Sequence, residues 1–139
     1  MRHVVLFPLA LLCFAAPAFA ATRLPDTPME RVEIFATCAG RLDALRTRQA
    51  ARHDARVQET TDLRDEFDLL TDAMLPYGDD ETVAEATLQA KRWRHRGWSE
   101  ISTHFGDIDY SINLKRARRA EVGLDAKIAV CTRLLLSAD

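Results

Sequence analysis

Thr37-Cys38-Ala39-Gly40-Arg41-Leu42 lies halfway along the first long helical pattern of the chain, and the partner of its cysteine decides how the rest is read. The other two cysteines are Cys13 and Cys131. Cys13 falls in an N-terminal stretch with the marks of a leader: Arg2 and His3, an apolar run from Val4 to Ala16, then Ala18-Phe19-Ala20. Small residues at positions 18 and 20 suit a peptidase cutting before Ala21, and the apolar run is too short to span a bilayer. A lipoprotein would need Cys13 as its acylated residue, but Leu11 and Leu12 before it are bulkier than that processing favours. The expectation is therefore a signal peptide over residues 1–20, a single helical domain over 21–139, and a periplasmic location with no integral span after processing.

Loss of the leader removes Cys13 and leaves Cys38 with Cys131. In an oxidising compartment two cysteines on apolar helix faces form a disulfide, here tying the first helix to the last. Closing a loop of roughly ninety residues stabilises a domain by about 4 to 5 kcal/mol in the chain-entropy model. Two separate buried thiols or a redox pair are the alternatives; no C-x-x-C favours the latter.

Working outward from Cys38, Met29, Val32, Phe35, Cys38, Leu42 and Leu45 recur every three or four residues, the spacing of one helix face. Thr27-Pro28-Met29-Glu30 supplies an N-cap, a proline at the first helical position and a reciprocal glutamate, and the pattern blurs after Ala51. A second, shorter helix carries Leu63, Phe67, Leu70 and Met74, opening at Thr60 or Thr61 and stopped by Pro76-Tyr77-Gly78. A third, capped by Asp79 or Asp80, follows Val83, Ala86, Ala90, Trp93, Gly97 and Ile101 to a turn at Phe105-Gly106-Asp107. Gly97 in mid-helix costs about 1 kcal/mol relative to alanine, which points to a close helix contact or a kink. The fourth helix runs from about Asp109 to Ser137.

No alternating strand pattern and no repeat interrupts this order, so the fold class is all-α: an up-and-down four-helix bundle with a short second helix. Helices 1 and 4 are expected as antiparallel neighbours. Counting from the bridge in opposite directions brings Leu42 to Ile128, Leu45 to Leu124, and Phe35 to Leu134 or Leu135.

Charge is uneven. Residues 21–90 hold 8 basic and 15 acidic side chains, residues 91–139 hold 10 and 6, which excludes a uniformly basic nucleic-acid binder but allows a local basic face. Lys91-Arg92-Trp93-Arg94-His95-Arg96-Gly97-Trp98 interleaves cations with aromatic rings, and Lys115-Arg116-Ala117-Arg118-Arg119 is a second basic run equally far beyond Gly106. Folded back as a hairpin, the two runs are expected to share a level. Arg92, Arg96, Arg116 and Arg119, with Trp98 as an aromatic edge, are then the candidates for binding an anion by charge pairing and stacking. The competing structural reading makes Trp93 core, Trp98 a boundary residue and the arginines a face neutralised by helix 2 acids.

Catalytic patterns are missing. His95 and His104 are nine residues apart, so they do not share a helix face as metal ligands four apart do. Neither C-x-x-C-H nor a G-x-S-x-G turn nor a glycine-rich phosphate loop is present. The expectation is a chain without enzymatic activity, metal or cofactor.

The Cys38-Ala39-Gly40-Arg41-Leu42 core, with Cys131 followed by Leu134-Leu135-Leu136, resembles a group of small exported helical proteins of Gram-negative bacteria that share a C-A-G-R core in the first helix. The resemblance implies a periplasmic, disulfide-tied helical fold and carries no activity. Two functions follow as expectations: a helical module acting through contacts with a periplasmic protein partner, and a binder of an anionic envelope component, either a phosphate-bearing lipid headgroup or nucleic acid.

Overall fold

The computed structural model describes residues 24–78 and 81–136, so the expected leader and the Asp79 or Asp80 cap lie outside the described residues. Four helices follow in order: α1 (Pro28–Ala51), α2 (Val57–Met74), α3 (Glu81–Tyr110) and α4 (Leu114–Leu136). They form an all-α bundle, with α2 the shortest, and Cys38 of α1 is bonded to Cys131 of α4. The two Cα atoms are 5.5 Å apart, within the usual span of a disulfide.

The start of α1 follows its sequence signals. The Thr27 hydroxyl accepts from the Glu30 amide at 3.4 Å and donates to the Glu30 carboxylate at 2.6 Å, with Pro28 in the first turn. The helix ends where the pattern blurs: His53 adopts φ 52°, its amide donates to the Ala50 carbonyl, and the Asp54 amide donates to the Gln49 carbonyl. This is a Schellman closure with histidine at the left-handed position that glycine usually fills.

Three boundaries differ from expectation. α2 begins at Val57, before Thr60, because Asp54 Oδ1 accepts from the Arg56 amide and nucleates the turn; Thr61 instead bonds back to the Val57 carbonyl. α3 continues through Gly106 to Tyr110, since an isolated glycine lowers helix stability without ending it. α4 accordingly starts at Leu114, capped by Asn113, whose Oδ1 accepts from the amides of Lys115 at 3.0 Å and Arg116 at 3.3 Å.

α1 is the central helix. It contributes to a cluster of Val32, Ala36 and Ala90, to one of Phe35, Cys38, Leu42, Phe67, Cys131 and Leu134, and to one of Ala44, Ile101 and Leu124. Ile128 and Leu135 pack against the second cluster, which includes Leu42 and Phe35. Leu45 and Leu124 line the same cavity.

The main neighbours of α1 are α2 and α3, whereas its contact with α4 is small. Two glycines account for the closeness of α3. A Cβ on Gly40 would strike the Arg94 carbonyl and lie 3.0 Å from the Trp98 amide nitrogen; one on Gly97 would strike the Thr37 carbonyl and lie 3.2 Å from the Arg41 nitrogen. Without side chains the backbones of α1 and α3 approach directly at this crossing, so Gly97 marks a close contact. The two helices run the same way, and Glu33 with Arg96, Arg41 with Glu100 and Arg48 with Asp109 pair in ascending order.

Candidate functional surfaces

Every member of the C-A-G-R core is spent on holding helices together. Cys38 is bridged, Ala39 is fully buried, Gly40 is the crossing contact, and Arg41 donates from Nε at 3.1 Å and Nη2 at 2.8 Å to Glu100 Oε2. Lys127 of α4 donates to the same oxygen at 3.1 Å, so one carboxylate of α3 joins α1 and α4 beside the disulfide. Burial works to raise the Glu100 carboxyl, but the hydrogen bonds and charges of Arg41 and Lys127 outweigh it and hold the group below its ordinary value.

The candidate anion-binding residues do not converge. Glu100 pairs with Lys127, and Gly123 lies against His104, so α3 and α4 pair about a turn at positions 111–113 rather than at Gly106. The run around Arg92 and Arg96 therefore faces the C-terminal half of α4, and the run around Arg116 and Arg119 sits at the far end, opposite Asp107. Along the axis the two are separated by roughly 16 Å, eleven residues at the helical rise, so they do not share a level. The reason is the extra helical turn through Gly106, a residue the sequence marks as a break.

Individually, Arg96 donates to Glu33 at 2.7 Å and to the Thr37 hydroxyl at 3.2 Å, and Arg116 pairs with Asp107 at 2.7 Å. The expected helix 2 acids neutralise a neighbour instead: Asp68 accepts from Arg94. Arg92 donates to Gln89 at 3.4 Å, and Arg119 is exposed. Trp98 is 39% exposed and lines a shallow cleft with Lys91, Arg94 and His95, while Trp93 is half-buried against Val32, Ala36 and Ala90.

Three other surfaces stand out. A cavity of about 440 Å³ lies between the C-terminal half of α1 and α4, with Arg48, Gln49, Arg52, Asp54, Arg56 and Thr132 in its wall. Gln49 is buried there, and its Oε1 has no partner among the described residues. Asp54, held by the Arg56 guanidinium and amide, is lowered to about 2. At the end where α1 starts, α2 stops and α3 begins, Pro28, Met29, Met74, Pro76 and Ala86 line an apolar cleft of about 600 Å³, rimmed by Thr82, Glu85 and Gln89. At the opposite end, the α3–α4 turn exposes Tyr110, Ile112 and Leu114.

Neither end was legible in advance. The apolar cleft gathers residues from three helices, and the turn at Ile112 stood inside the expected fourth helix; the only local signal was Ser111-Ile112-Asn113, a cap written into the chain. Among the described residues no helix is long and apolar enough to cross a membrane, and no group of three His, Cys, Asp or Glu side chains is placed to hold a metal. No family model, curated protein or solved structure matches the chain.

Proposed function

We propose that this chain is an exported, periplasmic interaction module that acts by contact rather than catalysis, taking a short apolar segment of a partner protein in the cleft at the α2–α3 end. The observation that carries this reading is the cleft itself. Its floor is Met29, Met74, Pro28, Pro76 and Ala86, and its rim is Thr82, Glu85 and Gln89. That is the composition of a recognition groove: an apolar base with a few polar groups at the edge to orient an incoming backbone. Methionines suit a surface that adapts to its occupant. The chemistry-bearing residues of the C-A-G-R core support the same reading, because they are consumed in fixing the helices that frame the cleft.

A photo-cross-linking residue replacing Glu85 tests it in the bacterial periplasm. It is expected to form an adduct with a discrete protein, to lose that adduct when Met29→Lys places a charge in the cleft, and to give none when the same residue replaces Glu121 on α4. Equal adducts from both positions, survival of the adduct in the Met29→Lys variant, or labelling of this chain's own leader alone would each overturn the reading.

A further inference from the structure

We propose that the opposite end of the bundle is a bilayer-contact tip, which seats the α3–α4 turn on a leaflet rich in anionic phospholipid. Tyr110 is 86% exposed, Ile112 102% and Leu114 83%, three large apolar side chains at one chain reversal that no part of the bundle covers. Stability gives no reason for them: the turn is closed by Ser111 and Asn113, and polar residues at 110, 112 and 114 would leave those hydrogen bonds intact. Apolar area of this size, concentrated at a tip, marks a contact with something else.

The charges behind the tip say what. Lys115, Arg116, Arg118 and Arg119 follow Leu114 directly, and no acid occurs from Tyr110 to Ala120. Of the flanking acids, Asp107 answers one of these cations, Arg116, at 2.7 Å, Asp109 is held by Arg48 and Arg52 at 2.5 and 2.9 Å, and Glu121 follows on α4, so a net positive charge remains behind the tip. At the helical rise Arg119 stands about 8 Å behind Leu114, comparable to the depth of the headgroup layer over the hydrocarbon. When Ile112 and Leu114 reach the acyl-chain boundary, the four cations lie among the lipid phosphates and Tyr110 lies at the interface that its amphipathic ring favours. A second copy docked tip to tip would instead set four cations against four. This surface is separate from the α2–α3 cleft; the stretch of α3 from Gln89 to Tyr110 puts roughly 30 Å between them.

The test is co-sedimentation of the periplasmically purified protein with vesicles, at about 50 mM salt. Phosphatidylglycerol mixed into phosphatidylcholine is expected to bind at least tenfold more protein than phosphatidylcholine alone, and about 0.5 M salt should abolish most of the difference. Ile112→Asp with Leu114→Asp, and separately Arg118→Glu with Arg119→Glu, should each lower binding about tenfold with unchanged melting temperature. Arg92→Glu, on the distant basic run, should not. Loss of binding in the Arg92→Glu variant, or full binding by the Ile112→Asp, Leu114→Asp variant, would overturn the proposal. So would a wild-type dimer that this double variant converts to monomer without any vesicle binding.

Discussion

Glu100 receives Arg41 and Lys127 on one oxygen at the junction of three helices, so its ionisation bears directly on how they are held together. Because its carboxyl is held below the ordinary value of 4.5, the charged form is favoured more in the folded state than in the unfolded one. Linkage gives the sign: the contribution is complete above the unfolded value and is lost as pH falls through the folded one. Melting temperature measured from pH 6 downward should fall less steeply for Glu100→Gln than for the parent. At neutral pH the variant should be less stable by about 1 to 3 kcal/mol, since Arg41, only 16% exposed, loses its partner. A parallel pH dependence in the two proteins would show that other carboxylates dominate acid unfolding.

At the scale of helices, the crossing of α1 over α3 depends on two missing side chains. Gly97→Ala would gain about 1 kcal/mol of helix propensity on an isolated helix. In the bundle its Cβ meets the backbone of Thr37 and Arg41, which has no rotamer to give, so separation of the helices costs more than the gain. A net loss of about 2 kcal/mol is expected in denaturant unfolding, with Gly106→Ala as the comparison: nothing lies within 4 Å of a Cβ there, so it should stabilise the protein. A Gly97→Ala variant as stable as Gly106→Ala would mean that the crossing yields easily. The elements also show why the two basic runs part company. A turn placed at Gly106 would have matched Arg96 with Arg116, whereas the true reversal lies beyond Tyr110; both arms of the hairpin lengthen, and Arg116 moves from the level of Arg96 to that of Asp107, roughly 16 Å along α3.

For the whole molecule, the disulfide holds α4, whose direct contact with α1 is small, against the central helix. Cys131→Ser should free the Cys38 thiol and destabilise by about 2 to 5 kcal/mol, with a fall in melting temperature of at least about 10 °C. Full stability with that thiol free would show that the Glu100 junction and the packing of Leu124 and Leu134 suffice to retain α4. Much of this architecture was legible from local signals. The Thr27 cap and Pro28 start α1, Pro76 stops α2, the apolar spacing defines helices, and Cys38 with Cys131 joins α1 to α4; each is a property of a few adjacent residues or of a single pair. What only the tertiary structure decided is which helix α1 rests on, what Arg41 and Arg96 neutralise, and that Ile112 ends up at a tip. Those depend on where long helices end and cross. Sequence signals place such ends only to within about a turn, and a turn is enough to exchange one ionic partner, or one exposed face, for another.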